Sequence, residues 1–240
     1  MSKFYEKSFE IRVHHCDMYG NLMVSELLKF MQDCAMIHAE LLGVGMDAMH
    51  ERNMTFVLSR MQLNILRMPS FGGNITIRTY PVDIERLFYI REFYITTEGA
   101  ECAEARSMWL VIDLDSRRPV RDAEFSHELP RWQCPEVIMK SPQKPRCNPE
   151  APLLLEKRVM YTDVDILGHA NNTRYAAWAC DCAGNGFFKN NPSFSFTINF
   201  SSELREGEYV KIFGEGNIYC GINESGQEAF SAKLERICNV

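Results

Sequence analysis

The chain has 240 residues, of which 46% are hydrophobic, so it is long enough to bury one large core or two small ones. Its net charge of -6 and the absence of a long run of Lys and Arg argue against a nucleic acid or an anionic membrane as the main partner. No stretch approaches the ~20 apolar residues that a membrane span requires, and the N-terminus lacks the apolar segment of a signal peptide. We therefore expect a cytoplasmic protein without membrane insertion.

The first half of the chain predicts one long helix followed by strands. Residues 24–42 carry apolar side chains at helical spacing with few charges, which is typical of a helix buried on most sides. Residues 56–66 form a strand-like run, and a turn at Gly73 leads into an alternating segment at residues 75–79. This order predicts a helix wrapped by a curved antiparallel sheet.

A proline-rich stretch divides the chain. Half of the ten prolines fall within residues 130–149, where there is little periodic pattern. We interpret residues 130–150 as a linker between an N-terminal domain, residues 1–129, and a C-terminal domain, residues 151–240.

The second half repeats the first. Residues 11–35 align with residues 159–183 without gaps, at an offset of 148 residues. The identical pairs are Asp17 with Asp165, Gly20 with Gly168, and Asp33-Cys34-Ala35 with Asp181-Cys182-Ala183. Strand-like runs follow in the same order, at residues 194–200 and 209–213. Two copies of one fold are therefore expected.

The densest polar cluster lies on the loop that precedes the second long helix. Asp165 and His169 are four residues apart on this loop, and a histidine can act as acid, base or hydrogen-bond donor near neutral pH. Backbone N–H groups at a helix N-terminus lack intrahelical partners and carry positive potential, so they can polarise a carbonyl oxygen. The candidate residues for such an oxyanion site are Gly168, Ala170, Asn171 and Asn172.

Glu203 is the candidate general base or nucleophile. It follows the strand-like run at residues 194–200, although Glu206 and Glu208 occupy the same turn. Taken one at a time, Asp165 is explained as a loop cap, His169 as a loop histidine and Glu203 as an exposed turn glutamate. Their combination is what points to a catalytic site.

Motifs for other chemistries are absent from the sequence. It contains neither a glycine-rich phosphate loop nor a G-x-S-x-G nucleophile elbow. His14, His15, Cys16 and Asp17 resemble a metal site, but neighbouring residues on a strand point to opposite faces and no further ligand follows at a suitable spacing. We expect no metal and no cofactor, and a hydrolase that uses water.

The chain resembles the acyl-acyl carrier protein (ACP) thioesterases of plants and bacteria from about Phe9 to its C-terminus. In the first half the resemblance rests on Met31-Gln32-Asp33-Cys34-Ala35 with His38, Arg60-Met61-Gln62, residues 67–72, Ser107-Met108-Trp109 and Arg117-Arg118. In the second half it rests on Asp165, His169, Asn171, Asn172 and Tyr175, with Trp178 one turn later. It implies an α+β protein of two tandem hotdog domains, each a long central helix wrapped by a curved antiparallel sheet. The implied activity is release of fatty acids from ACP, which ends chain elongation in fatty acid biosynthesis.

The resemblance also implies roles for single residues. Asp165, His169 and Glu203 would be catalytic, whereas the first domain has Asn21 at the position of His169 and a degenerate site. The acyl chain would lie in the first domain, where the possible wall residues are Met31, Cys34, Met61 and Trp109. Leu167 stands where the family has a catalytic asparagine, and the resulting D-x-x-G-H spacing resembles single-domain hotdog acyl-CoA thioesterases.

The implied partner is ACP that carries a fatty acyl chain. Because ACP is acidic, local basic residues would bind it, and the candidates are Arg117, Arg118, Arg174 and Lys189. The sequence leaves open whether the chain is a monomer or a homodimer. It also leaves open two other functions, an acyl-CoA thioesterase, which the loop spacing favours, and a non-catalytic acyl-binding protein, which Leu167 suggests.

Overall fold

The computed structural model describes residues 3–121, 124–127, 129–132 and 139–237. Within these residues, ten strands form one sheet in which every pair is antiparallel. The strands are β1 (Tyr5–Glu10), β2 (Met54–Ile65), β3 (Asn74–Glu85), β4 (Phe88–Thr97), β5 (Ala100–Asp113), β6 (Leu153–Arg158), β7 (Phe194–Phe200), β8 (Tyr209–Glu215), β9 (Ile218–Asn223) and β10 (Glu228–Arg236). The α-helices are α1 (Val24–Leu41), α2 (Met46–Glu51) and α3 (Asn172–Asn190).

The two halves of the chain each contribute five neighbouring strands to this sheet. The strand order is β1-β3-β4-β5-β2-β7-β10-β9-β8-β6. From each edge of the sheet to its middle, the two halves therefore have the same order, β1-β3-β4-β5-β2 in the first half and β6-β8-β9-β10-β7 in the second. The halves meet where β2 pairs with β7, with Met61 opposite Ile198. The α+β architecture of two tandem hotdog domains is therefore confirmed, and the domains share one continuous sheet.

The repeat extends to single elements at the same offset of 148 residues. β1 and β6 begin at Tyr5 and Leu153, and α1 and α3 begin at Val24 and Asn172. One difference is that α3 is interrupted at Gly184, where φ is 70°. A second is that α1 is followed by the additional helix α2, whereas α3 leads directly to β7.

Both long helices pack against the sheet and against each other. Leu27 and Met31 of α1 and Trp178 of α3 are fully buried, because apolar residues three or four apart share one face of a helix. Burial of α1 on most sides, as the sequence predicts, is only partly correct, because Met36 and Leu41 are exposed. Among the described residues, no helix is long and apolar enough to cross a membrane.

The described part of the predicted linker lies against the sheet. Arg60 of β2 donates to the carbonyl oxygen of Pro142 at 2.8 Å, and Arg106 of β5 donates to that of Met139 at 2.6 Å. Cys147 is paired with Cys220 of β9, with their Cα atoms 5.0 Å apart, a separation that suits a disulfide bond. Pro135 lies outside the described residues.

Candidate active site

Asp165 organises the loop that precedes α3. Its Oδ1 accepts the backbone N–H of Leu167 at 2.9 Å, and its own N–H donates to the carbonyl of His169 at 2.9 Å. Gly168 completes the turn at φ 79°, a left-handed conformation that favours glycine. The loop therefore holds His169 at a fixed position before the helix begins.

The first domain contains the same loop without the histidine. Asp17 Oδ1 accepts the N–H groups of Tyr19 and Asn21, both at 2.9 Å, and Gly20 has φ 80°. Because this copy builds the same turn around Asn21 in place of His169, the shared aspartate has a structural role in both domains.

Tyr175 of α3 fixes the segment that carries Glu203. Its buried hydroxyl accepts the N–H of Leu204 at 3.0 Å and donates to the carbonyl of Ser202 at 3.4 Å. Burial raises the pKa of the Tyr175 hydroxyl, so it remains protonated and able to donate. The carbonyl of Leu204 in turn accepts the N–H of Ala170 at 2.7 Å. These bonds hold Ser202 and Leu204, which flank Glu203, to Tyr175, and Leu204 also to Ala170, which follows His169.

Glu203 meets both His169 and a residue of the first domain. Its Oε2 lies 3.2 Å from Nε2 of His169. Nη2 of Arg117 donates to Oε1 at 2.8 Å and to Oε2 at 2.7 Å. The Glu203 side chain is 39% exposed, so water reaches it. A carboxylate and an imidazole in contact, open to water, can abstract and return a proton.

Most of the predicted oxyanion donors already donate within the protein. The N–H groups of Gly168, Ala170 and Asn171 bond to the carbonyls of Asp165, Leu204 and Asp163, respectively. In the described part of the chain, the N–H groups of His169 and Asn172 have no acceptor. The side chain of Asn171 caps α3 by accepting the N–H of Thr173 at 2.9 Å. The donors with free capacity are therefore His169 and Asn172 at the helix N-terminus.

A cavity of about 730 Å³ connects this cluster to the interior of the first domain. Its polar end contains Asp165, His169, Glu203 and Arg117. Most of its apolar wall comes from the first domain and includes Met36, Met49, Phe56, Tyr89 and Trp109, and Phe200 adds to it from the second domain. The volume lies in the range of sites for small organic ligands.

Of the four predicted wall residues, only Trp109 borders the cavity. Met31, Cys34 and Met61 belong instead to the packed core between the helices and the sheet. Burial raises the pKa of the Cys34 thiol to about 12, so it stays protonated. The structure therefore does not bring these three side chains to the cavity, because their faces of α1 and β2 point into the core.

Two of the four predicted ACP-binding residues are already paired. Arg174 donates from Nε to Asp163 at 2.6 Å, and Asp163 is only 2% exposed. Arg117 is held by Glu203. Arg118 and Lys189 are exposed.

Sequence patterns missed the contact between Arg117 and Glu203. The residue lies 86 positions from Glu203 and in the other domain, so neither spacing nor periodicity connects them. The Arg117-Arg118 block was visible as a shared family element, but it carried no indication of a contact with a carboxylate.

Comparison with known proteins identifies related sequences and folds. The family model of the acyl-ACP thioesterase N-terminal domain matches residues 2–126, and that of the C-terminal domain matches residues 148–239. The chain is 22% identical over 224 residues to the chloroplastic oleoyl-acyl carrier protein thioesterase 1 of Arabidopsis thaliana, covering 86% of this chain and 62% of that protein. It is 20% identical over 213 residues to the chloroplastic palmitoyl-acyl carrier protein thioesterase of Cuphea hookeriana, covering 83% of this chain and 51% of that protein.

Solved structures share the complete two-domain fold. An acyl-ACP thioesterase from Bacteroides thetaiotaomicron superimposes with a TM-score of 0.87 at 23% identity, covering 98% of this chain and 99% of the other. The 12:0-ACP thioesterase of Umbellularia californica gives a TM-score of 0.83 at 18% identity, covering 98% of this chain and 97% of the other.

Proposed function

Because the chain belongs to the acyl-ACP thioesterase family, we propose that it hydrolyses the thioester between a fatty acyl chain and ACP. The products are a free fatty acid and ACP with a free thiol, and the reaction ends chain elongation. The observation that carries this proposal is a cavity that joins the His169–Glu203 pair to apolar walls in the first domain. Such a cavity suits a substrate with one reactive polar end and a long apolar chain.

In the proposed mechanism, Glu203 takes a proton from a water molecule whose oxygen attacks the thioester carbon. The carbonyl oxygen becomes negative and is stabilised by the N–H groups of His169 and Asn172, aided by the positive end of the α3 dipole. The carbon–sulfur bond then breaks, and the proton held by Glu203 passes to the leaving sulfur. The imidazole of His169, 3.2 Å from Glu203, orients the carboxylate through these steps.

Asp165 acts in this mechanism by holding the loop. Oδ1 is occupied by the N–H of Leu167, and Oδ2 lies 3.4 Å from Nδ2 of Asn171. The side chain of Leu167 is 54% exposed and supplies no amide, but the amide of Asn171 reaches the same carboxylate. This arrangement supports general-base hydrolysis by Glu203 rather than attack by Asp165.

The deciding experiment compares Glu203→Gln with Glu206→Gln, which alters an exposed carboxylate in the same turn. We expect Glu203→Gln to lower kcat by about 10²- to 10⁴-fold on acyl-ACP, the range of general-base catalysis, and Glu206→Gln to leave it unchanged. Near wild-type turnover by Glu203→Gln would contradict the mechanism.

The carrier is tested by presenting one acyl group on ACP and on coenzyme A. We expect the higher kcat/KM with ACP, with Arg118 and Lys189 as the remaining basic candidates for its binding. A clear preference for acyl-CoA would favour the second carrier, and acyl binding without thiol release from either would indicate a binding protein. The cytoplasmic location stays a prediction, which cell fractionation would test.

A further inference from the structure

Arg117 lies on a turn that is braced on both sides. The turn follows β5, and the carboxylate of Asp113 accepts the N–H of Ser116 at 2.7 Å and its hydroxyl at 2.8 Å. These hydrogen bonds lower the pKa of Asp113. Nδ2 of Asn53 donates to Asp113 at 3.2 Å and to Asp115 at 2.8 Å. The turn is therefore fixed to the start of β2 and has little freedom to move.

The backbone of Arg117 adopts a conformation that side-chain-bearing residues rarely use. Its φ is 56°, in the left-handed region, and its N–H donates to the carbonyl of Asp113 at 2.9 Å. Strained backbone of this kind persists where surrounding bonds enforce it, and it concentrates at functional sites. In this case the side chain it directs leaves the first domain and reaches Glu203.

The contact with Glu203 fixes the orientation of the carboxylate. A single nitrogen, Nη2, bonds to both carboxylate oxygens, at 2.8 and 2.7 Å. The oxygen with the shorter bond, Oε2, is also the one that lies 3.2 Å from His169. Rotation of the Glu203 side chain would break both contacts.

From these contacts we propose that Arg117 is a positioning residue for catalysis, supplied by the first domain to the site of the second. The inference rests on the proposed function, because it assigns Arg117 to the base of that reaction. It replaces the sequence-based expectation that Arg117 binds the carrier, and it makes the catalytic site dependent on both domains.

Arg118 provides a matched control. It is the next residue on the same turn, carries the same charge and is exposed. Within the described residues its side chain forms no hydrogen bond or ion pair. Replacing either arginine by Met removes one positive charge from the same place, but only Arg117→Met releases Glu203.

The experiment measures kcat and KM on acyl-ACP for the wild type, Arg117→Met, Arg117→Lys and Arg118→Met, with thermal melting to check folding. We expect Arg117→Met to lower kcat by about tenfold or more with little change in KM, because misplacement of a catalytic group acts on the chemical step. Arg117→Lys should recover part of kcat. Arg118→Met should keep the wild-type kcat, because Arg118 is a candidate for carrier binding and does not contact Glu203. In the Glu203→Gln background, Arg117→Met should cause no further loss, because both changes act on one unit.

A rise in KM with unchanged kcat would assign Arg117 to carrier binding and overturn the proposal, as would an equal fall of kcat in Arg117→Met and Arg118→Met. If Arg117→Met has a lower melting temperature than the wild type, the kinetics of Arg117→Lys are used in its place. A reduced kcat at unchanged KM for Arg117→Lys supports positioning, and wild-type values of both refute it. A wild type inactive on acyl-ACP and acyl-CoA would instead defeat the proposed function. If Glu203→Gln loses activity while Arg117→Met keeps the wild-type kcat, only this inference is refuted and the proposed function stands.

Discussion

Replacing Tyr175 by Phe removes the hydroxyl that holds the Glu203 segment to α3. The hydroxyl accepts the N–H of Leu204 at 3.0 Å, and Leu204 is 0% exposed. A buried N–H left without an acceptor costs about 1–3 kcal/mol. Since about 1 kcal/mol shifts the melting temperature of a chain of this size by roughly 2–4 °C, Tyr175→Phe should melt about 2–12 °C lower than the wild type.

The same change should also slow catalysis. The N–H of Ala170 would still donate to the carbonyl of Leu204, but Tyr175 would no longer hold Leu204 in place. We expect kcat to fall on the order of ten- to a hundredfold, since a displacement of about 1 Å at a catalytic group has effects of that size. Tyr209→Phe is the control, because the Tyr209 hydroxyl forms no hydrogen bond among the described residues. Calorimetry and steady-state kinetics of both variants test the reasoning. A Tyr175→Phe protein with wild-type melting and kcat would show that the hydroxyl holds nothing in place.

Three further predictions concern the loop, the cavity and the core. Gly168→Ala and Gly20→Ala should each destabilise the fold by roughly 1–2 kcal/mol, because both glycines have a left-handed φ and the added methyl group meets open space. Only Gly168→Ala should lower kcat. Equal kcat values for the two variants would refute the assignment of the site to the second domain. Trp109→Phe should shift released fatty acids toward longer or bulkier chains by widening the cavity, which gas chromatography of the products would detect or disprove. Burial raises the pKa of the Cys34 thiol to about 12, so the reactive thiolate is scarce below that pH. Alkylation of Cys34 in the folded protein should therefore stay slow from pH 7 to 9. Rapid alkylation, detected by mass spectrometry, would contradict its place in the core.

Local patterns in the sequence predicted the elements well. The helix expected at residues 24–42 is Val24–Leu41, and the strand expected at residues 56–66 is Met54–Ile65. Their boundaries follow from hydrophobic periodicity and from glycines at turns, which act over a few residues. The offset of 148 residues also recovered the second copy, because equivalent turns use the same Asp and Gly.

Contacts between distant segments were beyond such patterns. Alternation along β2 marks one face as buried, but it does not distinguish a wall of the cavity from the packed core, where Met31 and Met61 lie. Nor does it reveal which strand of the other domain pairs with β2. Arg117 reaches Glu203 only because the two half-sheets join through β2 and β7. This pairing belongs to the tertiary structure, which local sequence patterns do not reveal.

The pairing of β2 with β7 also closes two sheet edges that would otherwise be open. An unpaired edge strand exposes N–H and C=O groups to which another chain can add, and Phe194, Phe196 and Ile198 of β7 would make such an edge apolar as well. The edges that remain, β1 and β6, carry charged residues such as Lys7 and Glu156, which oppose that addition. The fusion of two domains in one chain thus leaves neither β2 nor β7 at an edge, and we expect either domain produced alone to self-associate through the strand that lost its neighbour.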